Sequence, residues 1–207
     1  MLKWMKSLLS SQNAATKEYL IVGLGNPGKA YEKTRHNVGF RAARQFAKRH
    51  GIALKSAHKM SADCGVGKVG ESSVGVVLPM TYMNSSGEAV LRAMKAFKVP
   101  ASRIAVVVDD IAFNVGDIRF KEEGSHGGHN GLRSIEEHLE TRDFPRLRIG
   151  VGHPEGADLA EYVLAPFGQE DEQKLPEVLN RVADVLDCWI LRGIQEAMTL
   201  ANTKRSY

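Results

Sequence analysis

The chain has 207 residues, with 28 Lys and Arg against 24 Asp and Glu and a formal net charge of +4. That length suits one domain with a substantial core, and the mild basic excess excludes a histone-like polycation, so any nucleic-acid contact has to come from a local patch. Two distant cysteines, Cys64 and Cys188, exclude a disulfide framework and a C-x-x-C site and point to a reducing compartment, and no apolar run approaches the roughly 18 residues of a membrane span.

Residues 1–17 hold three lysines, three serines and no acid, which predicts a flexible N-terminal extension. Its composition is faintly that of an organelle transit peptide, but it is short and lacks arginine. The folded domain is expected over 18–207. Residues 19–22 are apolar and β-branched and read as a buried strand. A helix is predicted over 37–50, with Val38, Ala42, Phe46 and the stem of Arg49 on one side. Residues 65–69 are a weak strand candidate and 74–78 a strong one. A helix follows over 88–98, carrying Val90, Met94 and Phe97 at helical spacing. Ser85 and Ser86 are its cap candidates and Pro100 its stop.

Residues 104–108 form the most continuous apolar strand. Residues 117–121 alternate, as an edge or antiparallel strand with one wet face does. A helix is predicted over 132–139, a strand over 147–151, and a long helix over 175–201 with a wide apolar stripe including Val178, Val182, Leu186 and Trp189. Strands alternating with helices, without an internal repeat or linker, predict a single α/β domain: a twisted, mixed, mostly parallel sheet flanked by helices.

Four short motifs carry the chemistry: Gly23-Leu-Gly-Asn26-Pro-Gly28, Thr34-Arg-His36-Asn37, Thr81-Tyr-Met83-Asn84 and Gly127-Gly-His129-Asn130-Gly131. Carboxamides donate and accept hydrogen bonds without imposing charge, so they suit an ester carbonyl and a water. A histidine among them moves a proton near neutral pH. Asp109, at the end of an apolar strand, supplies a carboxylate to orient an imidazole. This pattern points to hydrolysis without a covalent nucleophile or a metal.

Other readings are weaker. Gly23-x-Gly25-x-x-Gly28 follows a strand as a dinucleotide fingerprint does, but residues 33–62 contain no Asp or Glu to hold a ribose. The better reading is a tight loop presenting Asn26 at the strand's end. His126-x-x-His129, perhaps with His36 and Asp109, invites a metal, yet no recognised ligand spacing accompanies it. No G-x-S-x-G elbow offers a serine nucleophile. No cofactor motif is present. Residues 124–131 hold four glycines and lead into a helix, an arrangement that suits close approach of a phosphate or ligand backbone. Arg119 with Lys121, and Arg146 with Arg148, form two same-face pairs on strands flanking that loop. Together with Arg133 they predict phosphate binding and a nucleic-acid partner.

These motifs, in this order, resemble bacterial-type peptidyl-tRNA hydrolase. The resemblance rests on residues 21–28, Tyr31, 34–39, 79–87, Asp109-Asp110, 124–135 and 144–154. It implies a monomeric α/β enzyme, without a membrane anchor or metal, that cleaves the ester between peptide and tRNA and returns both. It further implies that His36 is the base, Asp109 its partner, and Asn26, Asn84 and Asn130 the amides that place ester, peptide and water. Lys121 and Arg148 match the clamp for the tRNA 5′-phosphate; Tyr31, Met83 and His129 match cleft residues. The sequence departs from the family pattern at Ala112, Phe113, Asn114 and Val115, where relatives carry an acid and prolines. It departs again at Glu155, Asp158 and Glu161, where relatives often carry lysine. The expected location is the cytoplasm, or an organelle if residues 1–17 act as a targeting segment. The rival from another class is a non-catalytic RNA-binding adaptor of the same fold, of the organellar intron-splicing type. A generic small-molecule esterase is the third reading.

Overall fold

The structure is a computed structural model and describes residues 18–153, 156 and 158–203; the expected extension at 1–17 lies outside them. A seven-stranded sheet has the order β2-β3-β4-β1-β5-β7-β6. Its strands are β1 (Glu18–Gly23), β2 (Lys55–Ala57), β3 (Ala62–Val69), β4 (Ser72–Pro79), β5 (Ile104–Asp110), β6 (Ile118–Lys121) and β7 (Arg146–Gly150). The four central strands β4, β1, β5 and β7 are parallel, and β3 and β6 run against their neighbours. The sheet is therefore mixed and mostly parallel, with the alternating segment at 117–121 forming the antiparallel edge.

Both faces are covered, which is why the central strands are apolar without alternation. Tyr19 and Ile21 of β1 pack on α1 (Val38–Arg49), α5 (Gln169–Arg192) and α6 (Ile194–Asn202), while Leu20 and Val22 pack on α2 (Ser86–Phe97) and α3 (Asn130–Leu139). The outer side of α1 is tied to α5 by Arg41 to Glu172 at 2.6 Å and by Arg49 to Asp184 at 2.7 Å.

Two expectations are corrected, and two short elements are new. The long C-terminal helix is two, starting at Gln169 and divided at Gly193, whose φ of 99° ends α5. An apolar pattern reads straight through such a break because both helices bury residues in the same core. Ser85 and Ser86 do not cap α2 through their side chains; a 3-10 turn over Met83–Ser85 leads into it, and the Ser86 hydroxyl donates back to the Met83 carbonyl at 2.9 Å. Strand β2 and the six-residue α4 (Leu159–Leu164) are too short to show a period.

One close contact decides where the functional loops meet. The Phe40 amide donates to the Leu24 carbonyl at 3.0 Å, so the first turn of α1 lies directly on the carboxyl ends of β1 and β5. A Cβ on Gly39 would sit 2.3 Å from the Val107 carbonyl oxygen and 2.6 Å from that of Leu24. Both are backbone atoms that cannot yield. Gly39→Ala is therefore expected to destabilise the protein by about 3 kcal/mol or more, measured as a lower urea midpoint with an unchanged slope; a shift worth under about 1 kcal/mol would show that helix and sheet are not locked there.

Candidate active site

The carboxyl ends of the parallel strands β4, β1 and β5 open into one cleft of about 460 Å³, at the point where the strand order reverses about β1. Open α/β sheets bind ligands in that position. His36 sits in a 3-10 turn before α1, and its Nδ1 lies 2.9 Å from both carboxylate oxygens of Asp109. His129 approaches the same carboxylate, with Nε2 at 3.0 Å from Oδ1. The tautomers follow from the neighbours. His129 caps α3: its Nδ1 accepts from the amides of Gly131 and Leu132, so its ring proton is on Nε2 and is donated to Asp109. His36 likewise donates from Nδ1, which leaves Nε2 as an acceptor.

Asn26 follows β1 as expected, but it is locked rather than loose. Its backbone N–H donates to the Asn37 side-chain oxygen at 2.8 Å, and its carbonyl accepts from the Asn37 amide at 2.9 Å. Its own Oδ1 accepts from the Met83 N–H at 2.8 Å. The carboxamide is thereby oriented, and its NH₂ has no partner among the described residues. Asn84 and Asn130 are exposed and line the same cleft, as do Met83, His129 and Arg148. Gly127 and Gly128, with φ of 59° and 86°, let the glycine-rich loop turn along its edge.

Tyr31 and Lys121 are not among the cleft-lining residues. The four strand cations do share one face, with Arg119 opposite Arg148 and Lys121 opposite Arg146, but they divide by partner. Arg146 is fully buried and donates to the carbonyls of Gly124, Arg142 and Phe144, so it builds the loop. Arg119 donates to the Asn202 carbonyl at 3.2 Å. Arg148 pairs with Asp110 at 2.9 Å and donates to the Ser125 carbonyl at 2.8 Å. Lys121 and Arg133 are exposed and have no partner among the described residues.

His36, Asp109 and His129 bring potential metal-ligand atoms within 4.8 Å of one another, but at 2.9–3.0 Å these atoms bond each other through N–H donors. His126 stands apart, its Nδ1 accepting from the Gly128 amide at 3.0 Å. No helix begins at Gly28, where a 3-10 turn follows instead, so the dinucleotide geometry is missing. Sequence reasoning missed Asn37 as the anchor of Asn26; its place beside His36 was the available signal. It also missed the apolar wall of Ile111, Leu159, Ala160, Val163 and Leu164, which has no motif.

The sequence profile of the family described as peptidyl-tRNA hydrolase matches residues 20–207. The peptidyl-tRNA hydrolase of Clostridium acetobutylicum is 44% identical over 184 residues, 89% of this chain and 97% of that one. A mitochondrial peptidyl-tRNA hydrolase of Oryza sativa is 42% identical, over 93% of this chain and 77% of its own length. The crystal structure of peptidyl-tRNA hydrolase from Acinetobacter baumannii superposes with a TM-score of 0.86 at 36% identity, covering 94% of this chain and 99% of that one. The chain belongs to the peptidyl-tRNA hydrolase family.

In this peptidyl-tRNA hydrolase-family site, burial alone disfavours the charged form of both members of the central pair. For His36 the nearby Asp109 carboxylate outweighs burial and raises the imidazole pKa above the ordinary 6.5. For Asp109, burial is outweighed by His36 and His129, and the carboxyl falls well below the usual range. His36 should thus titrate above 6.5, and Asp109→Asn should lower that value, because the burial penalty stays while the anion is gone. Proton NMR of the His36 ring checks this; an unshifted titration in the variant would show that the carboxylate does not set it.

Proposed function

We propose that the chain hydrolyses the ester joining a peptide to the terminal ribose of tRNA, with His36 as general base toward water. The observation that carries this is the His36 ring itself: Nδ1 is committed to Asp109, Nε2 is free to accept, and three carboxamides line the same cleft. An ester is activated enough for water once its proton is removed. The incipient oxyanion needs donors aimed at it, each worth about 3 kcal/mol of barrier. The Asn26 NH₂, oriented through Met83, is suited to that task, and Asn84 and Asn130 to holding the peptide and the water. Asp109 orients the base and favours the imidazolium formed as water is deprotonated.

The partner is peptidyl-tRNA, engaged through its acceptor end, with the chain acting as a monomer. Lys121 and Arg148 are assigned the tRNA phosphate. Lys121 is free for it, whereas Arg148 has to exchange Asp110. The location proposed is the cytoplasm; Cys64 and Cys188 are free, and no helix among the described residues is long and apolar enough to cross a membrane. The organellar location depends on residues 1–17, which lie outside the described ones.

Peptide release from a defined peptidyl-tRNA tests the reading. His36→Ala should lower kcat by about 10²–10⁴-fold with the fold retained by circular dichroism; near wild-type release would remove His36 from its role. The acid limb of kcat/KM in the wild type should lie above 6.5, since a raised pKa keeps His36 protonated to higher pH. Asp109→Asn should move that limb down while retaining measurable turnover. Lys121→Ala should raise KM and reduce the salt slope of tRNA binding by about one unit. An unchanged slope would place the phosphate elsewhere.

A further inference from the structure

Helix α4 supplies the apolar wall of the cleft, yet it buries none of its six residues. A helix that short does not hold itself together in water, so its position depends on what grips its ends. At the start, Asp158 accepts from the amides of Ala160 and Glu161. At the other end the grip is Arg35, the residue before His36. Its Nη1 donates to the carbonyls of Pro166 at 2.8 Å, Tyr162 at 3.3 Å and Ala165 at 3.4 Å, at and just beyond the end of α4. Its guanidinium carbon lies 4.1 Å from the centre of the Tyr162 ring, and the Tyr162 hydroxyl donates to the Val151 carbonyl at 3.0 Å. The backbone joins at the same place: the Arg35 N–H donates to the Ala165 carbonyl at 3.1 Å, and Thr34 bridges Pro166.

We infer that Arg35 is a specificity-determining positioning residue: it holds the apolar wall of α4 at a set distance from His36, and that wall receives an apolar side chain on the amino acid esterified to tRNA. This rests on the hydrolase reading above. Leu159 and Leu164 are 54% and 41% exposed, and with Val163 and Met83 they offer surface that an aliphatic group covers and a glycine does not. Large side chains left this open beside a site mark a place where something binds. Arginine suits the post because one planar group stacks on Tyr162 and donates to several carbonyls; lysine does not do both.

The test compares N-acetyl-leucyl-tRNA and N-acetyl-glycyl-tRNA on the full chain and its Arg35→Ala and Arg35→Lys variants. In Arg35→Ala, KM for the leucyl substrate should rise about tenfold, the scale of a lost methylene contact or two. The glycyl substrate should change by less than about twofold and kcat by less than about threefold, with the acid limb set by His36 in place. Arg35→Lys should recover part of the leucyl effect. An equal rise for both substrates, or none for either, overturns the inference. Amide hydrogen exchange gives a readout independent of turnover: residues 162–165 should exchange faster in Arg35→Ala, and unchanged protection overturns the role of Arg35 as the grip. A wild-type chain that cleaves neither substrate sinks the hydrolase reading, while exchange still decides whether Arg35 holds α4. Should Arg35→Ala not fold, Arg35→Lys carries both measurements.

Discussion

A carboxylate with 5% of its surface exposed survives as an anion only if donors surround it, and Asp109 has two imidazole N–H groups to do so. Removing one member of a buried pair typically costs about 3–5 kcal/mol, because the other is left unpaired. Through that one carboxyl group the turn carrying His36, the end of β5 and the cap of α3 are forced to a common point. His129 adds a second constraint, since its other nitrogen is spent on two helix amides. Its proton is pinned to the side facing Asp109. The His36 ring is thus oriented by a group that is itself oriented.

The same logic recurs at Asn26. A carboxamide left to rotate presents its oxygen or its NH₂ with little preference, and only one of these stabilises an anion. The Met83 N–H takes the oxygen, and Asn37 takes the backbone on both sides. Preorganisation of this kind leaves little to rearrange as charge develops. It also links the turn after β4, which bears Asn84, to the loop after β1, which bears Asn26. On the opposite side the cleft is apolar and rests on α4, whose short length makes its attachments matter more than its propensity.

The basic residues show how burial sorts side chains that look alike in sequence. Arg146 and Arg148 are two apart on one strand, yet one lies entirely inside and structures the glycine-rich loop, while the other reaches the cleft in an ion pair. A guanidinium enclosed by carbonyls is a scaffold element. Lys121, one strand over, is exposed and has no partner among the described residues.

The sequence by itself determined the α/β class, the four central strands and most helix spans, and it singled out His36, Asp109 and the carboxamides of Asn26, Asn84 and Asn130 that the fold brings to one cleft. Buried parallel strands are apolar on both faces, and polar groups in glycine-rich motifs at their ends have few structural uses. Only the tertiary structure decided which groups touch. The shared carboxylate, the Asn26–Asn37 pair and the fate of each arginine depend on segments tens of residues apart, and periodicity carries no distance between them. Elements of three to six residues, such as β2 and α4, stayed out of reach for a related reason. Their conformation comes from the contacts that hold them, and a pattern that short fits strand, helix or loop equally well.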